Sequence, residues 1–164
     1  MTRDNKYKGE NAMKQATYAL ALIAALLIGL ATPSLAEDKA KEHRIAIQVD
    51  QNDPAVMNLV LNNVANLMEY YHSKGEQAQI EVVAYGPGLT MLRDDKSPVK
   101  PRLKAIKEGS FPSTVTFTAC GNTMKAAEKV EGHSIPIVSQ AGVVPAGVVR
   151  LTELQEQGWS YIRP

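Results

Sequence analysis

One cysteine, Cys120, and three histidines, His43, His72 and His133, are the side chains of this 164-residue chain best suited to nucleophilic or metal chemistry. Cys120 lies within TFTACGNTMKAAE (residues 116–128), where a strand-like run ends at the cysteine, a glycine follows and a helix is expected to begin. Three features bear on the thiol. A strand end lets its side chain reach the edge of a crevice. Gly121 has no side chain and lets backbone N–H groups come close to the sulfur. Asn122 suits an N-cap, which would bring the positive end of the next helix near Cys120. Thiols so placed can have a pKa well below the free value of about 8.5. The same residues also fit a small buried hydrophobe, because free cysteine is among the most buried residue types. Local sequence leaves both readings open.

Other chemistries fit less well. A thioredoxin-like site needs C-x-x-C, and the match here is C-G-N-T. A Cys–His dyad needs a histidine within hydrogen-bond reach. His43 falls in a polar segment expected to fray, and His72 at the exposed end of the first helix. His133 falls beyond the far end of the helix that follows Cys120, about a helix length from the thiol. One cysteine and three scattered histidines give no metal-ligand spacing, so neither a metal nor a cofactor is expected. The turn YGPG carries Gly86, Pro87 and Gly88 but matches neither phosphate-loop pattern. It is expected to act first as a tight turn and second as a wall of the site; the residues after Cys120 are Gly121, Asn122 and Thr123. A long polar connection follows, LTMLRDDKSPVKP; Arg93 and Lys100 lie in it and Arg102 just after it, either as solvated residues or as guides for an anionic substrate.

The elements that must hold these residues alternate along the chain. Residues 44–50 (RIAIQVD) read as a strand. Asp53 and Pro54 open a helix to Ser73, with Gly75 closing it. Its main apolar stripe is Val56, Leu59, Val60, Val64, Leu67 and Tyr71. A second face carries Met57, Leu61, Met68 and Tyr70 and is expected to meet a neighbouring subunit. Strands are predicted over 78–85 and 115–119, helices over 101–107 and 122–130. Residues 135–139 read as a fourth strand, with Val143 and Val144 as a short strand or its continuation. A helix over 151–157 and a strand over 159–162 end the chain. This order predicts an α/β fold: a three-layer α/β/α sandwich with a mostly parallel sheet of about five strands. Ligands of such folds gather at the carboxyl ends of the strands, where both glycine turns fall.

The opening of the chain predicts where the protein works. Residues 19–31, ALALIAALLIGLA, are 13 apolar residues, too short for the roughly 20 that span a bilayer. Residues 1–15 carry a net charge of +2, and Ser34 and Ala36 stand where small residues precede a signal-peptidase cut. Residues 1–36 therefore read as a secretory signal peptide, cleaved after Ala36, with Met13 as an alternative start. The product is expected to be periplasmic and without a stable membrane anchor. Residues 37–164 form a single expected domain with 14 Lys and Arg against 15 Asp and Glu, a net of −1. With no basic block and no aromatic-interleaved basic face, nucleic acid is excluded as a partner. A lone cysteine in an exported chain also excludes an internal disulfide.

Three segments taken together carry a resemblance: VVAYGPGL after the second strand, VTFTACGNT at the third, and VVPAGVVRLTELQEQGWSYIRP at the end. They resemble the DsrE/DsrF-like family, and within it an exported, single-cysteine branch, from about Arg44 to Pro164. The resemblance implies a compact α/β/α domain that assembles as a homo-oligomer, a trimer or hexamer. Sulfur-relay members carry sulfane sulfur as a persulfide on a cysteine, and Cys120 matches a cysteine position after the third strand. It implies Cys120 as sulfur acceptor, a sulfurtransferase or carrier role, and a sulfur donor and acceptor still to be identified. The competing functions are a non-enzymatic oligomeric small-ligand-binding module with a structural Cys120, and a thiol redox sensor.

Overall fold

The computed structural model describes residues 41–164; the signal-peptide reading, its cleavage point and the start at Met13 lie outside them. Among the described residues, five strands form one sheet in the order β4-β3-β2-β1-β5. They are β1 (Glu42–Val49), β2 (Gln77–Ala84), β3 (Thr114–Cys120), β4 (Ala141–Val144) and β5 (Ser160–Ile162). All four pairings are parallel, so every strand ends at the same sheet edge. The helices are α1 (Pro54–Ser73), α2 (Lys100–Glu108), α3 (Gly121–Glu131) and α4 (Gly147–Glu156).

The two sheet faces are covered unequally. Ile45, Ile47 and Val49 alternate with Ala46 and Gln48 along β1, so each set points to one face. On the first face Ile47, Ile80, Val82 and Phe117 pack with Met57, Val60, Leu61 and Val64 of α1, with Leu103 of α2, and with Met124 and Ala127 of α3. On the other face Ala46 and Val83 meet Leu151 and Leu154 of α4, with Tyr85 and Trp159 packed beside them. The fold is therefore α/β in three layers, with one short helix forming the third.

Helix α1 starts where its sequence predicts, because the Asp53 carboxylate accepts from the Ala55 N–H at 2.7 Å and Pro54 has no N–H to leave unpaired. Gly75 stops the chain at φ 70°. Its buried stripe is rotated from the expected one. Met57 and Leu61 are fully buried, whereas Leu59 and Tyr70 are exposed. The covered face thus combines residues from both predicted stripes, and the outward face keeps Leu59 and Tyr70.

Other expectations change with the packing. His43 is not frayed: it lies in β1, stacks on Tyr71 at 3.8 Å between ring centroids, and meets Glu76 at 2.8 Å. The connection after Gly88 is only partly polar. A 3-10 segment over Gly86–Leu92 buries Leu89, Met91 and Leu92. Residues 135–139 do not add a strand to the sheet. Pro136 lacks a ladder N–H, and Ile137 forms a lone antiparallel bridge with Arg93 instead. The edge strand beside β3 is Ala141–Val144. Helix α4 begins at Gly147 rather than Leu151; Gly147, Val148 and Val149 are weak helix formers, so propensity alone does not reveal the start.

Arg93 is buried rather than solvated, and it does not guide substrate. It meets Glu131 through Nη2–Oε2 at 2.8 Å and Asp95 through Nε–Oδ1 at 2.9 Å. The Arg93 guanidinium and the Lys96 ammonium hold the Glu131 carboxyl down at about 2. Glu131 ends α3, so this pair fastens that helix to the 3-10 segment. Lys100 pairs with Asp94, and Arg102 bonds Asn58 and Asn62.

Gly88 marks the closest approach. A Cβ there would lie 2.2 Å from the Val49 carbonyl oxygen and 2.5 Å from its carbon, both rigid backbone. In contrast, a Cβ on Gly142 meets nothing within 4 Å. Gly88→Ala is expected to destabilise the protein by about 2–4 kcal/mol, and Gly142→Ala by no more than about 0.5 kcal/mol. Urea unfolding of both variants checks this, and similar losses in the two would contradict the packing.

A candidate thiol site at the carboxyl edge of the sheet

Cys120 is the last residue of β3 and is 6% exposed. Alternation along the strand turns it to the face that carries α4. Two helices begin beside it. Cys120 itself occupies the N-cap position of α3, and Gly147 is the first residue of α4. Asn122 is therefore not the cap. It lies in the first turn with an exposed side chain, and its N–H donates to the Pro145 carbonyl at 3.0 Å. The helix starts one residue earlier than predicted because Gly121 is already helical.

Two glycines let the backbones close in. A Cβ on Gly147 would lie 3.2 Å from the Cys120 Cβ and 3.0 Å from the Tyr85 Cβ. A Cβ on Gly121 would lie 3.0 Å from the Val144 carbonyl oxygen. Neither site easily admits a side chain, and one on Gly147 would press on Cys120 and Tyr85. Gly147 is a site residue that sequence reasoning missed. The signal was present in PAGVV, a proline and a glycine just before a helix, but the two valines disguised the helix start.

The turns are linked through Thr123. Its Oγ1 accepts from the Gly86 N–H at 3.0 Å, which leaves its own proton free to point to the sulfur. Gly86 adopts φ 53°, a left-handed conformation suited to glycine. Of the predicted turn residues, Gly86 thus reaches the site through Thr123. Pro87 is exposed, and Gly88 is buried against β1.

These groups set the character of the thiol. Burial alone would push its pKa up. Hydrogen bonding toward the sulfur from the Thr123 hydroxyl, and from the N–H groups of Gly147 and Thr123, more than offsets burial and brings the pKa below the ordinary thiol value. No side-chain cap hydrogen bond runs from Cys120 to the first turn of α3. Donors near a sulfur favour the thiolate, which accepts more strongly than a thiol.

The three histidines lie elsewhere. His43 is held by Glu76 and Tyr71, His72 is exposed near the carboxyl end of α1, and His133 lies 3.5 Å from Glu131 at the far end of α3. No group of three or more His, Cys, Asp or Glu among the described residues could hold a metal ion. A groove of about 240 Å³ runs beside the site between β4 and α4, lined by Val144, Pro145, Ala146, Val149, Arg150 and Glu153. Val144 is the ladder partner of Cys120. Another cavity of about 260 Å³ lies near Phe111 and Ser113, before β3 begins and so about a strand length from the thiol.

The Thr123 hydroxyl is open to direct test. Thr123→Val removes the donor to sulfur and the acceptor for Gly86, while Thr123→Ser keeps both. The rate of Cys120 alkylation against pH is expected to shift to higher pH in Thr123→Val, by about 0.5–1 unit, and to stay in place in Thr123→Ser. Equal profiles in all three proteins would contradict the role given to this hydroxyl.

Comparison with known proteins follows the same geometry. The DsrE/DsrF-like family model matches residues 43–164. Among solved structures, the chain is similar to the protein of unknown function MTH1491 from Methanobacterium thermoautotrophicum. The two share 32% identity with a TM-score of 0.62, over 74% of this chain and 99% of that one. A comparison with curated proteins finds no match. The single parallel sheet with its covering helices is thus a known domain, and the chain belongs to the DsrE/DsrF-like family.

Proposed function

We propose that the protein handles sulfane sulfur outside the cytoplasm, with Cys120 as the persulfide-forming acceptor. Membership of the DsrE/DsrF-like family supports a sulfur-relay-related function. The observation that carries the finer reading is the set of donors around a thiol whose pKa is lowered despite burial. In the first step the Cys120 thiolate attacks the outer sulfur of a persulfide or polysulfide donor. A new S–S bond forms at Cys120 as the donor's S–S bond breaks. The donor's remaining sulfur leaves with the electron pair and takes up a proton. No net oxidation occurs, and an acceptor thiolate reverses the step to receive the sulfur.

The burial of Cys120 favours a second reading, in which the thiol is a packing residue of a small-ligand-binding module. Intact mass after treatment of the purified protein with polysulfide, with Cys120→Ser alongside, separates the two. The carrier reading expects the gain of one sulfur atom in the wild type and none in the variant. Oxygen addition under peroxide without sulfur uptake would instead identify a redox sensor, and no change under either treatment would leave the binding module.

The periplasmic location rests on the charged, apolar and small-residue order of residues 1–36. No helix among the described residues is long and apolar enough to cross a membrane. A homo-oligomer, trimer or hexamer, is proposed on the family resemblance and on the exposed Leu59 and Tyr70 of α1. Light scattering is expected to give a mass of at least three chains, and a monomer at working concentration would reject the assembly.

A further inference from the structure

The sheet face beneath α4 carries a buried carboxylate that the sulfur step does not use. Glu81 lies in β2 and is 4% exposed. Its Oε1 accepts from the Thr118 hydroxyl at 2.9 Å and from Arg150 Nε at 2.9 Å; its Oε2 accepts from Arg150 Nη2 at 2.7 Å. Thr118 stands two residues before Cys120 on the same strand face. Arg150 stands three residues, or about one turn, beyond Gly147. One carboxylate therefore ties together the two elements whose ends flank the sulfur.

A buried ion pair is seldom a better source of stability than apolar packing at the same place. What the bidentate guanidinium–carboxylate pair provides is a fixed orientation. The first turn of α4 has little else to orient it. Val148 and Val149 are exposed, and the next fully seated side chain is Leu151. Without Glu81, Arg150 retains only the 3.8 Å contact with Glu153 of its own helix.

We propose that Glu81 is a positioning residue for Cys120: through Thr118 and Arg150 it fixes the end of β3 against the start of α4, so that the Gly147 N–H is held toward the sulfur. The inference deepens the reading of Cys120 as a reactive thiol, and its readout is independent of sulfur transfer. The groups around the sulfur are Thr123 from α3, Gly147 from α4 and Tyr85 from the end of β2. The nearest charges in the network are those of Glu81, Arg150 and Glu153. Loss of the Glu81–Arg150 pair loosens a helix N-terminus that favours the thiolate, so the titration moves upward. Loss of the Glu81 charge alone also frees the Arg150 cation, which acts in the opposite sense, so the two charges are removed together.

The test is the pH profile of Cys120 alkylation by iodoacetamide in the full-length protein, with circular dichroism to report folding. In Glu81→Met/Arg150→Met, which removes both charges together, the midpoint is expected to rise by about one unit. Arg150→Lys, which keeps the charge but loses the fork, is expected to give a smaller rise. Should the double variant not fold, Arg150→Lys alone carries the test. An unchanged or lowered midpoint in the folded variants, even with a lowered melting temperature, would overturn the proposal and leave Glu81 purely structural. Polysulfide uptake by the wild type bears on the carrier reading alone. Its failure beside a shifted midpoint would sink that reading and leave the positioning role standing.

Discussion

At the carboxyl edge of the sheet, backbone N–H groups from the starts of α3 and α4 turn toward one sulfur atom. Each helix start contributes donors that have no partner within its own helix. Together they oppose the burial that would otherwise keep the thiol protonated. Water could solvate a thiolate equally well at an exposed position, but Cys120 is almost fully buried, so fixed dipoles must replace water. Fixed dipoles of this kind need no reorganisation when charge appears on the sulfur.

Bringing two helix starts to one atom constrains the backbone more than the side chains. Gly121 and Gly147 stand where a Cβ would press on carbonyl groups or on Cys120 itself, and Gly88 stands where one would enter the backbone of β1. Each helix is then held from further away by an arginine and a carboxylate. Arg93 grips Glu131 at the far end of α3, and Arg150 grips Glu81 one turn along α4. The two pairs lie in different surroundings, one in a loop and the other beneath a helix. Both fix the direction of a helix axis, and with it the direction of the N–H groups at its start.

Much of the fold was legible because parallel strands and amphipathic helices write strong periods into sequence. The Asp53–Pro54 start, the Gly75 stop and the strands around Ile47, Val82 and Phe117 follow directly from these rules. The errors have physical causes. Helix α1 carries apolar residues around most of its circumference, so periodicity alone could not say that Met57 and Leu61 face inward while Leu59 faces out. The segment around Ile137 has strand-like composition, but Pro136 denies it a ladder. Cys120 was recognisable as a strand-end thiol with a helix behind it. Gly147 was not recognisable as its neighbour, because 27 residues separate them and only the β3–β4 pairing brings α4 back. The Glu81–Arg150 pair was hidden for the same reason. A charged residue within a strand and another in a distant helix give no local sign of each other.

All these features bear on one property, stabilisation of the Cys120 thiolate by the protein. Ultraviolet titration of thiolate absorbance, with Cys120→Ser as the blank, reads this without any reagent having to reach the buried sulfur. The expected midpoint lies below the ordinary thiol value of about 8.5. A midpoint at or above that value would mean that burial outweighs the donors and that the thiolate is not stabilised.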